Sequence, residues 1–238
     1  MNRLQLVQRL GQECGVSGTV ATTQGTLVGE TARLVTWIDQ AWDDIQTKND
    51  DWTWMRSSNL ISAGVAFATV EGDYDYPLGT GPGTVGVAAD NFGKWDADSF
   101  RLCTTAFGIN DEVPLGLITY DQWRDGYMIG AQRLVKTRPT VVAIGPGETV
   151  VVAPPPTAGY TITADYFVAP SAMANDNDAP VGLPLQFHML IVYLAMTYYA
   201  GYESAPEVLD RAQAGYAPMM RRLERLRAQP ITAAGALA

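Results

Sequence analysis

The sequence predicts an α+β protein: an antiparallel helical bundle built from both chain ends, an inserted and mostly antiparallel β domain, and an extended C-terminal tail. Three observations carry this. Apolar residues recur at helical spacing near both ends of the chain. Between them lie short runs of β-branched and aromatic residues, separated by Gly, Pro, Asn and Asp. The last residues, AQPITAAGALA, carry no charge and no periodicity. The expected domains are a discontinuous bundle over 1–58 and 180–229, a β-rich insertion over 59–179, and a flexible tail over 230–238.

In chain order, Leu4, Val7, Leu10 and Cys14 step at helical spacing, and Gly15 should stop this first helix. Residues 15–29 are rich in Gly and Thr and read as a long surface loop. A second helix is expected over 31–48, with Leu34, Ile38, Ala41 and Ile45 as its stripe, widened by Trp37 and Trp42. Trp52 and Trp54 read as a cluster sealing the helices against a sheet. Strands are expected over 65–70, 74–78, 100–107, 113–117, 140–144 and 149–153. Thr119 and Gln122 fit a capping box for a short helix that carries Trp123. Gly145-Pro146-Gly147-Glu148 reads as a hairpin turn.

Residues 150–203 organise the rest. Pro154 to Pro156 end one strand, and residues 160–168 alternate at period two as the next. A long helix follows, with Pro184 in its first turn. Leu185, Met189, Val192, Met196 and Tyr199 line one side; Phe187, Ile191, Leu194 and Tyr198 line the other. Such a helix is buried on all sides or lies in a membrane. Gln186, His188 and Thr197 interrupt it and no flanking Lys or Arg orients it, so a central bundle helix is expected. Ser204 and Glu207 fit a capping box for a last helix reaching about Gln229, kinked at Pro218.

The chain of 238 residues has a net charge of −9, which argues against wrapping nucleic acid by phosphate neutralisation. An acidic wall past which DNA slides remains compatible with it. Residues 57–200 carry 6 basic and 14 acidic groups, so the acidity lies in the β part. Two cysteines, Cys14 and Cys103, make no disulfide framework and read as reduced thiols. Met1–Leu10 has no continuous apolar core, so no signal peptide is expected.

No catalytic set is visible, and no metal site or cofactor is expected. His188 is the one histidine, which excludes a Ser-His-Asp triad elsewhere; a satisfied core or interface histidine is the expectation. Gly81 to Gly86 matches G-x-G-x-x-G in form, but neither a helix nor βαβ alternation surrounds it. Asp176-Asn177-Asp178 begins like a calcium loop and then lacks the required Gly and Glu. The candidate site is a basic cluster, Arg221, Arg222, Arg225 and Arg227, set against Glu224 alone. It reads either as a solvated helix end whose cations suit the dipole or as a docking face for an acidic partner or DNA backbone.

The layout resembles the bacteriophage head-to-tail adaptors, the group that includes the tail tubular protein A of short-tailed phages. The matching pieces are LVQRLGQECGVSG, ARLVTWIDQAWDDIQ, DDWTWMR, EGDYDYPLG, the stretch from RPTVVAIGPGETVVV to ADYFVAP, and NDNDAPVGLPLQFHMLIVYLA. The loops over 16–29 and 79–98 have no counterpart in the pattern. The resemblance implies a structural virion protein and no enzyme: a homo-oligomeric ring of twelve copies beneath the portal protein at the capsid vertex. DNA passes through it, a tail or nozzle protein meets the β part, and no membrane is involved. It implies assembly in the host cytoplasm. It also implies portal docking by Arg221, Arg222, Arg225 and Arg227 and by tail residues Pro230, Ile231 and Leu237. Two other readings are weighed beside it: a glycan-binding or hydrolytic module using Trp95 and Trp123, and a membrane-anchored assembly factor using 185–202.

Overall fold

The computed structural model describes residues 1–16, 29–57 and 64–227. Among these are five α-helices: α1 (Arg3–Cys14), α2 (Glu30–Thr47), α3 (Tyr120–Tyr127), α4 (His188–Glu203) and α5 (Pro206–Arg227). The strands are β1 (Arg56–Ser57), β2 (Val65–Ala68), β3 (Asp75–Tyr76), β4 (Phe92–Trp95), β5 (Arg101–Thr104), β6 (Val113–Pro114), β7 (Gly116–Leu117), β8 (Val141–Ile144), β9 (Val150–Ala153), β10 (Tyr160–Ala164) and β11 (Tyr166–Val168). The architecture is mixed α+β. The chain divides into two compact units: Met1–Trp54 with Pro170–Ala238, and Met55–Ala169.

In the helical unit, α1, α2 and α5 all pack against α4. No residue of α4 from His188 to Ala200 is exposed, as its all-round apolar sequence requires. The expected stripe of α2 is fully buried; of that of α1, Val7 and Leu10 are fully buried while Leu4 and Cys14 are half-buried, and Leu6 joins the core beside them. Asn2 and Gln5 form a capping box on α1, and Gly15, at φ 69°, closes it. Buried Gln46 pins the returning chain by bonding both the amide (2.9 Å) and the carbonyl (3.1 Å) of Ser171. The Trp42 indole donates to the same carbonyl at 2.6 Å. Trp54 stacks between Trp42 and Trp52. No described helix is long and apolar enough to cross a membrane.

Two expectations about this unit change. Pro184 lies before the helix in extended conformation, and a 3-10 turn over Leu185–Phe187 leads into α4. Leu185 is therefore 72% exposed rather than part of the buried stripe. Ser204 does not cap α5 at its N-terminus. It adopts a left-handed conformation, φ 52°, and closes α4. The carbonyl of Ala205 takes the first amides of α5, those of Val208 and Leu209. The link between α4 and α5 is too short to give each helix its own capping residue.

The β unit contains three sheets, ordered β1-β11-β4, β2-β10-β5-β6 and β3-β9-β8-β7. All pairings are antiparallel except β7 with β8. The run expected as one strand over 160–168 is divided between two sheets at Asp165. The Asp165 amide bonds Ser99 Oγ at 2.8 Å and its carbonyl takes the Asp96 amide at 3.0 Å, so neither group serves a ladder. The run over 113–117 also switches sheets, between β6 and β7, after the Leu115 amide has extended the β5–β6 pairing with a bond to the Phe100 carbonyl at 3.0 Å. Strand β4 was hidden in the sequence. Gly93 sits in it opposite a register shift, and a Cβ there would come 3.0 Å from the Phe167 carbonyl oxygen. The bulge destroys the alternation that would have announced the strand.

Strand β9 is buried on both faces. Val150 and Val152 enter a core with Tyr76, Phe92, Trp95 and Phe100, while Val151 and Ala153 pack under Trp123 of α3. The expected capping box of α3, Thr119 with Gln122, is formed.

His188 sits in the helical unit as a satisfied neutral imidazole. Its Nε2 donates to the Leu183 carbonyl at 3.1 Å, and its Nδ1 accepts from the Met1 nitrogen at 2.8 Å. Burial holds its pKa below the usual 6.5. The unfolded chain therefore takes up this proton first as pH falls. The histidine's contribution is intact above about pH 6.5 and is eroded as pH drops toward the lowered folded value. Thermal unfolding of the chain should lose stability between pH 7 and pH 5, and His188→Gln should lose less over the same interval. A second test concerns Gly182, at φ +76°, where a Cβ would stand 2.6 Å from the Trp54 carbonyl oxygen. Gly182→Ala should lower the unfolding free energy by about 2 kcal/mol or more, through a left-handed backbone and a contact that cannot relax cheaply. Denaturant titration reads it directly.

Candidate docking surface

The last turns of α5 turn Met220 and Leu223 inward, where both are buried. Arg221 and Arg225, four residues apart, share the outward side, and Arg222 flanks them. All three are exposed. Arg221 Nε donates to the Ala217 carbonyl at 3.2 Å, which holds its stem along the helix. Glu224, the one acid in this stretch, is taken by Lys48, the residue that caps the end of α2, at 3.0 Å. Lys48 also stands 5.9 Å over the Tyr216 ring, so the end of α2 meets α5 here. The other described ion pairs of this unit are Arg3–Asp39, Arg9–Glu13 and Arg211–Glu13. Arg221, Arg222 and Arg225 are thus unpaired among the described residues. Exposed cations without counter-ions among the described residues of an acidic chain attract carboxylate or phosphate. Arg227 ends α5, and its side chain lies outside the described residues, as do Pro230, Ile231 and Leu237.

The other sequence candidates resolve into structure. Asp176 and Asp178 offer backbone carbonyls to the Leu4 and Arg3 amides at 3.1 and 2.7 Å, so this acidic loop holds the start of α1. Among the described residues, no group of three His, Cys, Asp or Glu side chains could hold a metal ion. The glycine run 81–86 is a loop closed by a bridge between Gly79 and Val87. The Thr84 hydroxyl bonds the Gly79 carbonyl within it, and a 3-10 turn and β4 follow instead of a phosphate-binding helix. Trp95 and Trp123, the proposed glycan platform, are 2% and 4% exposed. Their indoles donate to the Glu148 and Val152 carbonyls, at 2.9 and 3.0 Å, which leaves no face for a sugar. Cys14, half-buried, has its thiol pushed up to about 12 by burial.

Sequence reasoning missed the exposed apolar side chains. In the β unit, Phe107, Ile109 and Leu134 are 68%, 83% and 79% exposed. They lie on loops fixed from several directions. Asp111 binds Arg138 at 2.9 Å and Thr104 at 2.7 Å, and the Thr105 hydroxyl donates to the Gly159 carbonyl at 3.0 Å. An apolar residue beside a strand reads as a continuation of it, and only the described backbone shows that the strand has already ended.

No curated protein matches the chain. A family model does, over residues 1–237, so the match takes in both helical ends and the β insertion together. The chain therefore belongs to the SU10 adaptor protein family, as the resemblance to phage head-to-tail adaptors led one to expect.

Proposed function

We propose that this protein is a structural component of the phage virion that forms a ring of copies beneath the portal, twelve in number, and joins the capsid vertex to the tail. Its channel is part of the path by which DNA leaves. The observation that carries the reading is the set of three exposed, unpaired arginines at the end of α5 in a chain of net charge −9. A body of that charge repels DNA that passes it and leaves the arginines as the place where an acidic surface can dock. Arg227 and the tail residues Pro230, Ile231 and Leu237 continue this docking segment onto the portal. The fixed loops carrying Phe107, Ile109 and Leu134 suit the second task, contact with a tail or nozzle component, because exposed apolar side chains on a rigid backbone mark interaction sites.

The test is electron microscopy and binding of the purified chain with the purified portal. A ring seated on one face of the portal is expected. The double substitution Arg221→Glu with Arg225→Glu should weaken portal binding by about 30-fold or more, the consequence of about 2 kcal/mol lost from a charged contact, while leaving thermal unfolding unchanged. A chain lacking 228–238 should bind the portal more weakly and melt as before. Equal binding by both variants would remove the C-terminal segment from the mechanism.

A further inference from the structure

The loop that leads into α4 holds two apolar side chains out of the protein. Val181 is 69% exposed and Leu185 is 72% exposed, while Leu183 between them is buried. The backbone that presents them is fixed. Gly182 passes directly over the Trp54 carbonyl, the Leu183 carbonyl takes the His188 proton at 3.1 Å, and the Phe187 amide bonds the Pro184 carbonyl at 2.8 Å. Held this firmly, the loop cannot fold its exposed side chains inward.

The position of this loop follows from the helix pair. α4 and α5 reverse at Ser204 and run side by side, with Gly215 against the Tyr193 ring. Eight residues back from Tyr193 is Leu185, and eight on from Gly215 is Leu223. Leu185 therefore stands at the level of the α5 turns that bear Arg222, Arg225 and Leu226, and Leu226 is itself 56% exposed. Leu185, Leu226 and the arginines thus lie toward the same end of the helical unit, and Val181 is four residues before Leu185 on the same loop.

We infer that Val181, Leu185 and Leu226 are the apolar centre of a docking surface whose charged rim is Arg221, Arg222 and Arg225. Its partner is a protein surface with an apolar hollow edged by carboxylates. The inference rests on the adaptor reading for the choice of the portal as that protein. A DNA backbone has no complement for the leucines. A second copy meeting this face with its own would set arginine against arginine. An apolar centre with a charged rim is the usual anatomy of a specific protein interface.

The probe is the purified portal, titrated against the full chain in 0.1 M and 0.5 M salt. Val181→Ser with Leu185→Ser should weaken binding at least ten-fold at both salt concentrations, because apolar contacts are not screened. Arg221→Glu with Arg225→Glu should lose most at low salt. Leu226→Gln, on a separate element, is the second variant and should also weaken binding at both. Each substitution is at an exposed site and should leave the melting temperature unchanged. Wild-type binding by both the serine pair and Leu226→Gln, with the arginine variant impaired, would overturn the apolar centre and leave the adaptor reading standing. Intact portal binding with lost self-association in the serine pair would make this face a contact between copies and overturn the assigned partner. Failure of the unsubstituted chain to bind the portal would overturn both readings.

Discussion

Helix α4 is apolar around its whole circumference, and burying it needs neighbours on every side. Leu190, Ile191, Val192 and Met196 are all fully buried, each contributing about 1.5–3 kcal/mol relative to exposure. No single partner can do this. α1 and α2 come from the start of the chain, and α5 follows α4 near its end. The helical unit cannot close until residues separated by more than a hundred positions have met. The chain leaves the bundle after Trp54 and returns at Pro170, with the second unit between. Gln46 and Trp42, bonded to Ser171, mark where the return is fixed.

The β unit meets a different constraint. Its sheets are small, and its strands are two to five residues long. Strands so short are stable only when several sheets share one core. The chain achieves this by changing sheets in mid-run, at Asp165, whose amide and carbonyl bond to a turn instead of a ladder, and at Leu115. Trp95, Phe100, Tyr76 and Phe92 fill the shared core, and α3 covers the second face of β9 with Trp123. Every indole in this arrangement has a carbonyl to donate to, which is why the aromatic richness of the unit is structural.

These constraints explain what the sequence made legible. α1, α2 and α3 could be read because their stripes and caps are local: Gly15, Thr119 and Gln122 sit where capping chemistry puts them. The fold class could be read because helical and strand periodicities occupy different stretches. What stayed hidden depends on partners distant in sequence. The bulge at Gly93 is set by Phe167 and Val168, and the break at Asp165 by Ser99. Ser204 carried a correct capping signature, and a tight turn gave it to the other helix. The arginines were legible as a cluster. Their lack of partners was not, because it depends on Lys48 having taken Glu224.

Leu185 shows how a failed expectation becomes informative. Its spacing with Met189 and Val192 places it on a buried stripe, and a sequence under selection only for stability would have kept it there. Instead Pro184 takes an extended conformation and a 3-10 turn swings Leu185 outward. A leucine removed from a core that its own periodicity could have joined is a sacrifice of burial energy, and Val181 on the same fixed loop makes a second. Stability alone gives no reason for either. The proposed partner, covering both, would give one, toward the end of the unit where α5 presents arginines without a counter-ion among the described residues. Burial inside the chain, ion pairing inside the chain and docking outside it compete for the same side chains. At this end of the bundle the first two have been left incomplete together.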